Sequence, residues 1–382
     1  MNYNHISKQI IFKPKARLIL QVGDRLIANE KIAISEIIKN SYDADARNVI
    51  VEMNNINDRE KGEIIILDDG QGMNLDIIEN VWMEPGTNFK EDLLNNLYSS
   101  EFQRTPIGEK GIGRFGVHKL GNKIELISKR KNGKEVKLKI NWLNFDTNKY
   151  LDEEKINVIE KQDENNNFFR KDEHGTYLKI TSLRKEWSKT DFRIFYRNAM
   201  TLVSPFASKD DFNIEIKSNL NWEHGLMRLR EIKRQALWYF KIKIKDSQIK
   251  EFIYEFTPYK YMDKLSKKKI TENDDYIRLD PIIKRKIDNK NFETILAEGF
   301  GDLTIEGYIF DFDKNTLDLS EITDRKGVKD YVKDNGGIRV YRDGMRIYDY
   351  GESGNDWLGL DQARINAPTL KIGNKLILAS VL

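Results

Sequence analysis

The sequence contains no cysteine and only four histidines among its 382 residues, and these absences exclude several kinds of site. Without thiols there is no disulfide framework, no cysteine nucleophile and no zinc site built on cysteine. The histidines are scattered along the chain without metal-ligand spacing, at His5, His118, His174 and His224. Any metal ion must therefore be bound by oxygen ligands.

Long apolar runs and a large excess of one charge are also lacking. No apolar stretch approaches the roughly 20 residues of a membrane-spanning helix, and the N-terminus lacks the pattern of a signal peptide. We therefore expect a cytoplasmic protein without a membrane partner. The net charge of +3 is too near balance to predict nucleic-acid binding by bulk attraction.

What is present is a highly charged chain with enough apolar residues for folded domains. Charged residues make up 33% and hydrophobic residues 39%, which is typical of a globular protein. The length suits two to three domains of about 150 residues each. We expect an α+β protein with two domains, at residues 1–185 and 186–382.

Hydrophobic spacing predicts that the first domain opens with a helix at residues 28–42. Ile34 and Ile38 lie on its apolar face, whereas Glu36, Lys39 and Asn40 are predicted to lie off that face. Alternating or continuous apolar runs then predict strands at NVIVEM, EIIIL, IELISKR, VKLKIN and TYLKITSL.

Residues 74–107 are polar and mixed, and Pro85, Gly86 and Pro106 interrupt any long pattern. Such a segment is typical of a mobile lid over a binding site. We expect it to be mobile without nucleotide, and cleavage within it to slow when a triphosphate orders it.

The second domain is predicted to begin with a helix in FRIFYRNAMTLVSPF that Pro205 stops. Strands are expected at FNIEI, WYFKIKIK, KEFIYEF, LTIEGYIFDF and IRVYRDGMRIY. Residues 261–289 are charge-rich and are expected to form a surface insertion. The chain ends on the apolar, strand-like LILASVL, so we expect a domain truncated at its C-terminus.

The first motif is a polar face on the helix at residues 28–42 and just beyond it. Glu36, Asn40 and Asp43 have i, i+4, i+7 spacing, which places them on one helical face. A carboxylate there can orient a water, and the amide oxygen can complete the shell of Mg²⁺, which keeps several waters. The alternative is an ordinary solvated helix face.

The second motif is an acidic turn after a buried strand, in DDGQGM. The carboxylate of Asp68 can accept a hydrogen bond from the exocyclic amine of adenine. Gly70 and Gly72 would let the backbone approach the base closely, before Met73. A tight acidic turn without a ligand is the alternative.

Two further motifs follow. GEKGIGRFG at residues 108–116 is a glycine-rich loop that carries Lys110 and Arg114 and can expose backbone N–H groups to phosphate. It is neither a Walker loop nor a good dinucleotide fingerprint. Gly175 and Thr176 open the strand YLKITSL, where the hydroxyl could reach a phosphate or a water beneath the base.

Together and in this order, the four motifs closely resemble the GHKL ATPase superfamily of gyrase, the large heat-shock chaperones, histidine kinases and MutL. The resemblance covers about residues 15 to 185 and implies a Bergerat α/β sandwich that binds ATP with Mg²⁺. It implies that Glu36 is the general base, Asn40 the Mg²⁺ ligand and Asp68 the adenine reader. The other implied nucleotide-binding residues are Asp43, Gly70, Gly72, Met73, Gly108, Lys110, Gly111, Ile112, Gly113, Arg114, Phe115, Gly116, Gly175 and Thr176.

The rest of the chain indicates a branch of that superfamily. Only about 35 residues precede Glu36, which disfavours a histidine kinase. GIRVYRDGMRIYDYG resembles the transducer domain of MORC-type and related bacterial defence proteins. In those relatives the domain supplies a cation to the γ-phosphate and closes a dimer; the candidates here are Arg364 and Lys371, with surface cations as the alternative.

These resemblances imply an ATPase that works as a molecular clamp. ATP would close the lid and dimerise the chain, and a missing C-terminal region would bind DNA or an effector protein, for example in anti-phage defence. Two alternatives stay open: a chaperone-like or scaffolding switch that acts on protein clients, and an ATP sensor that does not hydrolyse its ligand.

Overall fold

The computed structural model describes residues 9–84, 102, 104–107, 113–161, 167–206, 212–227, 229–245, 248–274, 301–347, 350–351, 354–368 and 371–382. For residues 113–115 and 248 it describes the backbone alone. The chain divides into two compact units. Unit 1 is Met1–Tyr196 with Phe212–Glu223, and unit 2 is Arg197–Asp211 with His224–Leu382.

Unit 1 is built on a seven-stranded sheet in the order β5-β4-β3-β6-β2-β1-β7. Its strands are β1 (Asn48–Asn54), β2 (Glu63–Asp68), β3 (Gly121–Lys129), β4 (Glu135–Asn141), β5 (Val158–Glu160), β6 (Gly175–Leu183) and β7 (Asn213–Ser218). Neighbours pair antiparallel except β1 and β7, which are parallel.

The helices described in unit 1 are α1 (Arg17–Leu26), α2 (Glu30–Asp43) and α3 (Leu75–Ile77). Helix α4 (Lys189–Met200) begins in unit 1, and its residues after Tyr196 are assigned to unit 2. A π-helix, Ile78–Trp82, continues α3, and short 3-10 helices cover Gly113–Lys119, Trp142–Phe145 and Leu151–Glu153. α1 and α2 both pack against the 3-10 helix at Gly113–Lys119.

The sequence pattern of β2 explains how a carboxylate comes to be buried at the end of this sheet. Every second residue of the strand is buried, so Asp68 shares the buried face with Ile64 and Ile66. Because side chains alternate across a strand, the position of Asp68 is fixed by the two isoleucines before it. Hydrophobic burial along β2 thus positions a polar group.

Helix α2 confirms the predicted helix and also corrects one expectation. The Asn29 side chain caps its N-terminus by accepting a hydrogen bond from the backbone N–H of Ile32 at 3.1 Å. The prediction that Lys39 lies off the buried face was wrong, because Lys39 is only 4% exposed. The aliphatic stem of a lysine can line a core when its ammonium finds a partner.

The predicted strands NVIVEM, EIIIL, IELISKR, VKLKIN and TYLKITSL are confirmed as β1, β2, β3, β4 and β6. The strand FNIEI, expected in the second domain, is β7 and extends the sheet of unit 1 beside β1. Of the lid predicted at 74–107, residues 85–101 and 103 lie outside the described residues.

Unit 2 contains a second seven-stranded sheet, in the order β10-β9-β8-β11-β14-β12-β13. Its strands are β8 (Trp238–Lys245), β9 (Gln248–Phe256), β10 (Lys268–Thr271), β11 (Leu303–Ile309), β12 (Gly337–Arg342), β13 (Met345–Arg346) and β14 (Ile377–Val381). The described helices are α5 (Leu229–Lys233), α6 (Lys314–Asp318), α7 (Arg325–Asn335) and α8 (Leu360–Asn366).

The core of unit 2 lies between its sheet and helices α5 to α7. Phe310, Val328 and Val332 are almost fully buried there and pack with Ile232, Leu317, Ile322 and Leu378. The predicted strand LILASVL is β14, which is buried at all five residues between β11 and β12. Helices and two mixed sheets confirm the predicted α+β class. No described helix is long and apolar enough to cross a bilayer.

Candidate functional site

The polar face of α2 is where the sequence placed it. From Glu36 to Asp43 the helix buries five residues and leaves three partly exposed, Glu36, Asn40 and Asp43. Their i, i+4, i+7 spacing aligns two carboxyl groups and one amide along an accessible side of the helix. Of these, Glu36 and Asn40 are one turn apart, and their oxygen atoms could hold a water and a hard cation that keeps several waters of its own.

An ammonium group lies beside the first of these carboxylates. Lys39 Nζ is 2.9 Å from Glu36 Oε1, and the two side chains are 5% and 28% exposed. The pair is therefore sheltered on the lysine side and open on the glutamate side.

Asp68 lies at the end of β2, 8% exposed, and described residues donate three hydrogen bonds to its carboxylate. The backbone N–H groups of Gly70 and Thr176 donate to Oδ1 at 3.0 and 3.2 Å, and Ser41 Oγ donates to Oδ2 at 3.0 Å. Burial raises the pKa of Asp68 from its ordinary value of 3.8 to about 6, while these donors act in the opposite direction. The carboxyl group is thus fixed in orientation and titrates near pH 6.

Strand register aligns this carboxylate with two hydroxyl groups. Thr176 of β6 pairs with Asp68 of β2 on one side and with Ser128 of β3 on the other. Directly paired residues point to the same face of a sheet, so the three side chains form a row. Ser128 Oγ lies 3.0 Å from Thr176 Oγ1.

Ser128 is fully buried and was not predicted from the sequence. It donates to the carbonyl oxygen of Gly175 at 2.9 Å and accepts from the backbone N–H of Met73 at 2.8 Å. A hydroxyl has one donor and two acceptor sites, so Thr176 Oγ1 fills the remaining one as a donor. Ser128 therefore ties the turn at Met73 to the start of β6.

The two turns that flank Asp68 depend on glycine. Gly72 has φ +65° and Gly175 has φ +136°, both in the region that favours glycine. A Cβ on Gly72 would overlap the carbonyl of Lys129, and one on Gly175 would overlap the carbonyl of Asp68. A Cβ on Gly70 would lie 2.7 Å from the carbonyl oxygen of Ala44.

We expect Gly175→Ala to lower the free energy of unfolding by about 2 kcal/mol or more, because backbone strain and a backbone clash add at this position. Thermal denaturation of the nucleotide-free protein measures the loss. Gly354→Ala is the matched control, since Gly354 also has positive φ but has nothing within 4 Å of a new Cβ. Equal losses in both variants would contradict the clash at Asp68.

The C-terminal end of α2 anchors the segment that enters the glycine-rich loop. Asp43 Oδ1 accepts from the backbone N–H of Ile107 at 2.8 Å. Arg104 is 7% exposed, donates to the carbonyl of Ala46 at 2.5 Å, and its guanidinium lies 4.7 Å from the centre of the Tyr42 ring. Asp43 therefore holds the backbone at the residue before Gly108.

The predicted phosphate loop is described only in part. Gly108, Lys110, Gly111 and Ile112 lie outside the described residues, and Gly113, Arg114 and Phe115 have a described backbone in the 3-10 helix. Gly116 is buried, and a Cβ there would lie 2.6 Å from Ile27 Cγ1. Gly116 thus permits close packing against the end of α1.

Among the described residues, no group of three or more histidine, aspartate or glutamate side chains could hold a metal ion. Asn40 beside Glu36 suits Mg²⁺ instead, because this ion uses few protein ligands and completes its shell with waters and substrate phosphates. Arg364, in α8, and Lys371 are both exposed in unit 2.

A cavity of about 610 Å³ in unit 1 is lined mainly by apolar residues, among them Ile78, Trp82 and Trp142. Glu36, Asn40 and Asp68 are not among its lining residues. The candidate site is therefore defined by its chemistry and not by this cavity.

Part of unit 1 matches a known protein family. Residues 28–176 match the family model described as "Histidine kinase-, DNA gyrase B-, and HSP90-like ATPase". The matched segment begins two residues before α2 and ends at Thr176, so it includes the polar face of α2, Asp68 and Ser128. No curated protein matches the chain.

Proposed function

Because residues 28–176 form an ATP-binding domain of the GHKL superfamily, we propose that this protein is a Mg²⁺-dependent ATPase whose nucleotide cycle drives dimerisation as a molecular clamp. The observation that carries the proposal is the pairing of two sites in one unit. The Asp68 carboxylate, fixed in orientation, suits binding of a nucleobase. The partly exposed face at Glu36 and Asn40 suits Mg²⁺ binding and hydrolysis at the phosphates.

The geometry at Asp68 favours adenine over guanine. A carboxylate offers about four acceptor positions, and Gly70, Thr176 and Ser41 use three of them. The remaining position, on Oδ2, suits one further donor such as the exocyclic amine of adenine. Guanine presents a carbonyl oxygen at that ring position, so two acceptors would face each other.

The hydrolytic step that we propose is in-line attack of water on the γ-phosphate. Glu36 orients the water and accepts its proton, since a positioned carboxylate can act as a general base. Asn40 is the protein ligand for Mg²⁺, which neutralises phosphate charge when it is bound. Asp43 holds Ile107, and thereby the entrance to the loop in which Lys110 and the glycine amides are assigned to the phosphates.

The clamp part of the proposal rests on the domain family, which includes DNA gyrase B and HSP90 in its description. We propose that the protein forms a homodimer when it binds ATP, and that Arg364 or Lys371 supplies a cation to the γ-phosphate. We also propose that it works in the cytoplasm with DNA or an effector protein as its partner. A MORC-like defence role belongs to the same proposal. A scaffolding switch and a sensor that does not hydrolyse ATP are the competing outcomes.

We expect a non-hydrolysable ATP analogue to raise the dimer fraction at least about threefold over ADP at equal saturation, because a clamp must distinguish the γ-phosphate. Light scattering after size-exclusion chromatography measures the mass. Equal masses with the analogue and with ADP would contradict the clamp. ATP turnover that rises on addition of duplex DNA at low salt, and loses this rise at high salt, would favour DNA over a protein client.

A further inference from the structure

Helix α2 buries a lysine directly beside the residue that we assign as general base. Lys39 Nζ contacts Glu36 Oε1 at 2.9 Å across one turn of the helix. We propose that Lys39 is a positioning residue, which fixes the Glu36 carboxylate for attack by water on the γ-phosphate. This inference rests on the proposed ATPase function and adds a second residue to its machinery.

Because Lys39 is buried, its ammonium group has little freedom to move away from Glu36. Its side chain is 5% exposed, and a buried ammonium is costly unless a hydrogen-bonded anion compensates it. The contact with Glu36 offsets part of that cost, and burial holds the ammonium at a defined point beside the carboxylate. The carboxylate of Glu36 is held there in turn.

Glu36 needs such a restraint because it is 28% exposed and its side chain has several rotatable bonds. Lys39 occupies Oε1, and we assign the attacking water to Oε2. A general base contributes only when it lies within hydrogen-bond reach of the proton that it accepts. The ion pair therefore limits the rotamers of the base to those that face the site.

Charge gives Lys39 a second effect on the same step. A triphosphate and a free carboxylate repel each other, and repulsion is strong where solvent is partly excluded. The ammonium beside Glu36 offsets this repulsion without contacting the nucleotide in our assignment. Because Glu36 is partly exposed and the nucleotide contacts assigned to Asp68 and the glycine loop remain, loss of Lys39 should lower turnover far more than nucleotide affinity.

The central test is Lys39→Met, which removes the charge and keeps an unbranched stem. We expect kcat to fall by about 10- to 100-fold, with affinity for a non-hydrolysable ATP analogue within about threefold of the parent. Lys39→Arg keeps the charge and should retain more turnover than Lys39→Met. If Lys39→Met does not fold, Lys39→Gln takes its place.

Lys31→Met is the matched control on the same helix. Lys31 pairs with Asp191 at 3.1 Å, and those side chains are 24% and 25% exposed, away from the Glu36 pair. This variant should keep both turnover and affinity. A comparable loss of kcat in Lys31→Met would mean that any lysine change in α2 impairs the site, and would overturn the specific role.

A double-mutant cycle with Glu36→Gln shows whether Lys39 acts through Glu36. If it does, adding Lys39→Met to Glu36→Gln lowers turnover no further. Without nucleotide, the Tm change of the double variant should differ from the sum of the single changes by about 2–4 °C, as coupled partners require. Additive changes in both measurements would overturn the inference.

The outcomes separate this inference from the proposed function. If the parent protein binds no ATP or shows no turnover, both the proposed function and the role of Lys39 are wrong. A parent that hydrolyses ATP and loses turnover with Glu36→Gln, but keeps it with Lys39→Met, removes only the role of Lys39. Loss of nucleotide affinity equal to the loss of kcat would make Lys39 a binding or structural residue instead.

Discussion

Glu36→Gln should abolish most ATP turnover while leaving the binding of Mg·ATP within about threefold of the parent. The amide keeps the size of the side chain but cannot accept a proton from water, and loss of a general base costs about 10² to 10⁴ in rate. The nucleotide contacts assigned to Asp68 and the glycine loop are not altered. Single-turnover hydrolysis and calorimetric titration with an ATP analogue measure the two quantities separately.

Glu30→Gln provides a close control for this variant. Glu30 lies on the same helix and pairs with Lys185 at 3.9 Å, and its side chain is 25% exposed against 28% for Glu36. Turnover should change little in Glu30→Gln. If Glu36→Gln loses binding and turnover in equal measure while remaining folded, Glu36 holds the nucleotide and another group activates the water.

The sequence predicted those parts of unit 1 whose determinants are local. Apolar spacing predicted α2 and the strands before and after it, since burial follows the helix and strand periods. The i, i+4, i+7 spacing predicted that Glu36, Asn40 and Asp43 share a face, and they are the partly exposed residues in that stretch of α2. The continuous apolar run before DDGQGM predicted a buried strand that leads into Asp68, and Asp68 is the last residue of β2.

The parts that the sequence did not predict depend on contacts between distant segments. Ser128 lies in the candidate site because the register of β3 and β6 pairs it with Thr176. This register cannot be deduced from the sequence of either strand alone. β7 follows a helix and was assigned to the next domain, yet it pairs in parallel with β1. The burial of Lys39 depends on which parts of the chain pack against α2, whereas its ion pair with Glu36 lies within the helix.

The Asp43 side chain holds a segment of the chain that lies close to the predicted glycine-rich loop in sequence. The resemblance to the superfamily placed it among nucleotide-binding residues, and the structure shows its Oδ1 bonded to the backbone of Ile107. The buried Arg104 donates to the carbonyl of Ala46, which lies just beyond the end of α2. The helix that carries the proposed catalytic face thus also anchors the chain just before Gly108.

Asp68→Asn should weaken adenine nucleotides by about 100-fold, since an amide can present a donor to the donor amine of the base. The loss of a charged acceptor and the mispairing of buried groups each cost a few kcal/mol at most, which sets this magnitude. Calorimetric titration with ADP and with GDP measures it. The parent should prefer ADP, and an unchanged ADP affinity in Asp68→Asn would place the base pocket elsewhere.

The pH dependence gives a sharper form of the same prediction, because the pKa of Asp68 is raised from 3.8 to about 6. Below that value the protonated carboxyl presents a donor, so adenine affinity should fall as the pH drops through 6. Stability should respond in the opposite direction. A carboxyl whose pKa is raised by folding adds most stability below pH 4 and loses this contribution as the pH rises through about 6.

Asp68→Asn separates these effects from other titrations. The terminal phosphate of a nucleotide also titrates near pH 6, but that contribution is common to both proteins and cancels in their ratio. The ratio of parent to variant affinity should therefore decline as the pH falls from 7 to 5. Over the same range the nucleotide-free parent should gain Tm relative to the variant, because protonation removes the cost of a buried charge. Parallel curves for the two proteins in both measurements would mean that Asp68 does not titrate between pH 5 and 7.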